Sequence, residues 1–120
     1  MIRPLTILAL FALPTAAAAM PVSTFLAKAD ALMKKGPMAV FSGDIGLLNG
    51  EMKTSFAQLR AEQVAARKAG RKPDSCMPAK VGVRPNELLG RLRAIPVAKR
   101  GMSMKDALGT WMQKKYPCPA

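Results

Sequence analysis

The spacing of apolar residues constrains this fold more than any other feature. From Val22 they recur at Phe25, Leu26, Ala29, Leu32 and Met33, the three- and four-residue steps of one helix face. Ser23 or Thr24 is placed to cap that helix, and Asp30 stands four residues before Lys34 as an in-helix ion pair. Gly36 with Pro37 behind it closes the helix. Pro37 also suits a first helical position, which makes residues 37–41 a short helical turn.

The same steps continue downstream. Ser42 or Asp44 caps a longer helix ending near Ala69 and Gly70, with Ile45, Leu48, Met52, Phe56, Leu59 and Ala66 facing inward. Gly46 and Gly50 each weaken it by about 1 kcal/mol relative to alanine, so its start is expected to kink or be irregular. Lys53, Arg60 and Arg67 share one face and read first as solvated charge. "GRKPDSCMPAKVGVRP", which begins at Gly70, has no helical period and reads as a long loop, with Val81 and Val83 as a brief extended piece. A third helix starts at Pro85 or Asn86, turns Leu88, Leu89, Leu92 and Ile95 inward, pairs Glu87 with Arg91, and is interrupted by Pro96. "VAKRG" makes one further turn. Ser103 then caps a last helix, with Asp106 three residues on. Leu108, Trp111 and Met112 form its buried stripe, and Tyr116-Pro117 ends it. The fold class is all-α: a small helical domain of about four main helices with one disulfide.

That disulfide follows from compartment and count. The chain opens "MIRPLTILALFALPTAAAA": a positive charge, a short apolar run, a proline and a string of small residues. This is the layout of a secretory signal peptide over residues 1–19, with Ala17-Ala18-Ala19 as the cleavage signal. The run is shorter than the roughly 20 apolar residues a bilayer span needs, so no integral membrane segment is expected in the mature protein. One helical domain, residues 20–120, remains in an oxidising space, read as a bacterial periplasm. There the only two cysteines, Cys76 and Cys118, are expected to pair. The bridge would tie a fraying tail to the central loop and stabilise the fold by about 4 kcal/mol on the chain-entropy estimate. A structural staple is favoured over a redox role, because the pair is not a C-x-x-C and no histidine can activate a thiolate.

Charge and missing residue types narrow the function. The net charge is +12, of which Arg3 would leave with the leader. Such a chain attracts acidic partners. Nucleic acid would be the usual inference, but export argues against it and leaves acidic proteins, anionic lipid headgroups and lipopolysaccharide. The absence of histidine removes the commonest general base and most zinc and copper sites. The methionines read as core filler rather than copper ligands. Most of the seven carboxylates have helical explanations, so no metal, cofactor or catalytic residue is expected and the sequence points away from an enzyme.

Several stretches carry a family likeness: "FLAKADALMKKGPMAVFSGDIGLLNGEM", "ARKAGRKPDSCMP", "ELLGRLRAIPVAKRGMSMKDAL" and "KKYPCP". In their order, in Cys76-Met77-Pro78, in Ile95-Pro96 with Arg100 behind, and in Tyr116-Pro117-Cys118-Pro119, nearly all of the mature chain resembles the type VI secretion amidase-immunity (Tai-type) immunity proteins. The resemblance implies a small, helical, disulfide-bearing periplasmic protein, often a homodimer, that binds and blocks an injected peptidoglycan amidase toxin. It implies core roles for Phe41 and Trp111, and it implies binding more strongly than immunity. The contact region is expected in the loop, on Arg71, Lys72, Asp74 and Lys80. Two other functions stand beside this one: a periplasmic acid-stress chaperone, and a cationic envelope-binding protein with no toxin partner. The second is disfavoured because every apolar face is expected to be used by the core.

Overall fold

The computed structural model describes residues 19–119, so the leader expected over residues 1–19 lies outside them save for its last residue. The described chain is all-α: α1 (Val22–Lys35), a 3-10 turn (Gly36–Phe41), α2 (Gly43–Lys68), α3 (Pro85–Arg93), a second 3-10 turn (Val97–Lys99) and α4 (Met104–Lys115). No strand occurs among the described residues, and Val81 and Val83 lie in irregular chain. No described helix is long and apolar enough to cross a membrane.

Local chemistry explains most helix ends. Ser42 Oγ accepts from Asp44 N–H at 3.3 Å, capping α2, and Ser103 Oγ accepts from Asp106 N–H at 3.1 Å, capping α4. Gly70, at φ 71°, ends α2 in a left-handed turn. Arg71 N–H donates to Ala66 O at 2.8 Å and Gly70 N–H to Arg67 O at 3.1 Å, the paired bonds of a Schellman cap. α1 departs from expectation. It begins at Val22 after an extended Pro21, with no side-chain cap, so neither Ser23 nor Thr24 caps it. The reason is tertiary: Val22 N–H donates to Met102 O and Ser23 N–H to Arg100 O, both at 2.9 Å, which satisfies the donors a side chain would have served. α2 also runs unbroken through Gly46 and Gly50.

Two expected in-helix ion pairs are replaced by pairs between helices. Asp30 meets Arg93 of α3 at 2.7 Å rather than Lys34, and Glu87 meets Lys115 of α4 at 3.7 Å rather than Arg91. Each acid sits where another helix crosses its face, so the crossing helix supplies the nearer cation.

The core joins Val22, Phe25, Leu26 and Ala29 of α1, Leu48 of α2, Leu88 and Leu92 of α3, and Met104, Ala107, Leu108, Trp111 and Met112 of α4. Met77 of the loop completes it. α4 packs on α2, and α1 touches all three other helices. Gly109 marks a close approach: a Cβ there would stand 3.2 Å from Leu59 Cδ2. Trp111 is core as expected, but Phe41 is 81% exposed. The turn that carries it buries none of its six residues, so Phe41 stays on the surface.

Candidate functional site

The loop between α2 and α3 is fixed at its middle by three independent devices. Cys76 and Cys118 are bonded, with Cα atoms 4.9 Å apart and a sequence separation of 42. Cys76 N–H donates to Tyr116 O at 2.8 Å, extending the covalent link into a backbone contact. Buried Gln63 then grips the next residue from α2, its amide bonded to both the N–H and the carbonyl of Met77. Arg60, one helical turn earlier, donates through its guanidinium to Pro78 O at 3.0 Å. Each bond satisfies a loop backbone group that no helix or sheet would serve, so this loop has a defined course without secondary structure.

That course takes the loop across α2 and gives it two chemically different sides. On one side Arg71, Lys72, Asp74 and Ser75 line a recess of about 380 Å³ with Glu62 and Gln63. On the other side Val81 and Val83 join Leu32, Ile45, Met52 and Phe56 around an open apolar groove of about 720 Å³. Lys53 and Arg60, the charged residues of this lining, are both cations. Of the four residues assigned to partner contact, Arg71, Lys72 and Asp74 come together at the recess. Lys80 is exposed on the stretch between, outside the lining of both.

The groove limits the expectation that every apolar face is used by the core: Leu32, Met52 and Phe56 pack against the core yet line an open groove. α3 packs on α1 and makes little contact with α2, so it covers at most part of the stripe from Ile45 to Phe56. The remainder stays open, in the volume range of ordinary small-molecule sites.

The carboxylates are distributed rather than gathered. Asp30, Asp44, Glu62 and Glu87 each meet a lysine or arginine of another element. Glu51 accepts from Met20 N–H, and Asp106 occupies the first turn of α4, where the helix dipole favours it. Asp74 lines the recess together with Glu62. No group of three or more His, Cys, Asp or Glu placed to hold a metal occurs among the described residues. The recess carries one resolved electrostatic effect at its edge: the hydrogen bond from Lys105 to Glu62 raises the lysine above its ordinary pKa of 10.5, the charges of Glu62 and Asp106 add to this, and burial opposes it.

Taken together these features define a disulfide-stapled, all-α domain presenting an ordered loop. Comparison with known proteins adds no relative: no family model, curated protein or solved structure matches the chain. The likeness to the amidase-immunity proteins therefore rests on the sequence motifs.

Proposed function

We propose that this is a periplasmic binding protein of the immunity type, which blocks a peptidoglycan amidase toxin by laying its stapled loop against the toxin. The observation that carries the reading is the fixation of residues 76–78 by the disulfide, by Gln63 and by Arg60. An inhibitor needs a surface whose shape is set before the encounter, because ordering a loop on binding costs affinity. Arg71 and Lys72 at the recess, on a chain of net charge +12, add attraction toward an acidic cleft rim and speed the encounter. Export to the periplasm and the family likeness supply the partner class.

The test is a pull-down with the oxidised, leader-free protein against periplasmic extract and purified amidase toxins, washed at high salt. One stoichiometric partner that survives the wash and loses its hydrolase activity supports the proposal. Binding that disappears entirely with salt sinks it and leaves charge as the only cause of association. A second reading, a cationic envelope-binding protein, is favoured by one observation: an apolar groove whose charged lining residues are Lys53 and Arg60. Retention of a fluorescent anionic amphiphile at high salt, with no toxin bound, would decide for it.

A further inference from the structure

We propose that Glu51 is the built seat for a new chain terminus, created when the peptide bond between Ala19 and Met20 is cut. Met20 is held by its neighbours rather than trailing from the domain. Its carbonyl accepts from Met104 N–H at 2.9 Å, Pro21 forms an isolated antiparallel bridge with Ser103, and Val22 N–H reaches Met102 O. This pinning fixes the direction of the Met20 nitrogen, which donates at 3.2 Å to Oε1 of Glu51, 31 positions away in the first half of α2. One residue earlier, Ala19 is exposed, and Ala17-Ala18-Ala19 supply the small side chains that leader peptidases accept.

In the uncut chain Glu51 takes only a neutral amide at this contact. A carboxylate is a poor match for one neutral donor and a good match for an ammonium, whose hydrogen bonds to it are about twice as strong. Hydrolysis makes that exchange. A leader peptidase of the export machinery adds water to the Ala19 carbonyl carbon, and the carbon–nitrogen bond breaks. Ala19 departs as the carboxylate end of the leader, while the Met20 nitrogen keeps the bonding pair and takes up protons to become an ammonium. The backbone bonds at residues 20–22 are untouched, so the new charge appears already in contact with Glu51. The cut chain is therefore more stable than the uncut one. The domain tightens only after it has lost its leader.

This inference rests on the export reading and is independent of the toxin. The full chain is expressed with its leader, and the N-terminus of the exported protein is sequenced. Met20 is expected as the first residue. Unfolding is then compared in a two-by-two set: Glu51 or Glu51→Gln, with Met20 terminal or with Ala19 retained ahead of it. Glu51→Gln is expected to lower the folding equilibrium constant about three- to fivefold when Met20 is terminal, and to change little when Ala19 restores an amide there. Equal losses in both backgrounds would mean that Glu51 is merely structural and would overturn the proposal. Export followed by cutting at another bond would remove this inference alone, whereas a chain never cut would remove the export reading as well.

Discussion

Gln63 Nε2 donates to the carbonyl of Met77 at 3.3 Å while Met77 N–H donates to Gln63 Oε1 at 2.9 Å, so one buried amide satisfies both backbone groups of a core residue in a loop. The pair stitches α2 to the loop inside the molecule, where water cannot take over either bond. Gln63→Leu should therefore cost about 2–4 kcal/mol, because it keeps the apolar bulk but leaves a buried donor and acceptor unpaired. Urea unfolding measures the loss. Accelerated amide exchange at Met77, with α1 protection retained, would place it at the loop, whereas an unchanged midpoint would mean the bonds contribute nothing net.

Removing the staple tests a different term. Cys76→Ser with Cys118→Ser opens a link of sequence separation 42 and should destabilise the protein by about 4 kcal/mol, chiefly through the unfolded chain. Because Gln63 and Arg60 still hold Met77 and Pro78, native circular dichroism should persist below the shifted transition.

The Lys105–Glu62 pair makes a contribution that fades at alkaline pH. Lys105 is held above its ordinary 10.5 in the folded state. Its contribution is thus complete below that value and is lost as pH rises through the raised folded value. Glu62→Gln should flatten this alkaline loss. A variant as pH-sensitive as the parent would show that Lys105 is not its source.

The glycines of α2 offer stabilising changes. A Cβ at Gly46 or Gly50 would meet nothing within 4 Å, so Gly46→Ala and Gly50→Ala should each stabilise the helix by about 0.5–1 kcal/mol. A raised thermal midpoint for both is the expected result. Destabilisation by either would mean that the open space about α2 is needed by something else.

Charge reversal at the recess bears on the proposed inhibition. Arg71→Glu with Lys72→Glu should leave stability within about 0.5 kcal/mol, since both side chains are exposed. The same pair of changes should slow association with an acidic toxin at least tenfold at low salt. Stopped-flow binding reads this directly, and an unaffected on-rate would take the recess out of the interface.

The helices were legible in the sequence because their signals are local: apolar steps, serine caps, and glycines at the two ends that turn left-handed. What connects them was less so. Asp30 offered Lys34 four residues away but meets Arg93, 63 residues on, and no local spacing encodes that crossing. Gln63 had a readable trace, because it fills the gap between Leu59 and Ala66 in the inward stripe of α2. A polar residue in register with such a stripe is a candidate buried hydrogen-bonder. Of the four residues expected at a partner contact, Arg71, Lys72 and Asp74 line one recess, while Lys80 lies apart from them. The groove was hidden because it depends on α3 packing against α1 rather than α2, a tertiary relation between helices rather than a pattern within either.

The Cys76–Cys118 bond also closes a ring that contains α3 and α4. A protease cutting once between residues 77 and 117 releases no fragment: both new ends remain on one molecule, and the packed surfaces can re-seat after the nick. A cut in α2 has no such protection, and only non-covalent packing then holds α1 to the rest. Against any peptidase the covalent ring makes the C-terminal half the durable part of the protein and leaves the first two helices as the half that degradation can carry away.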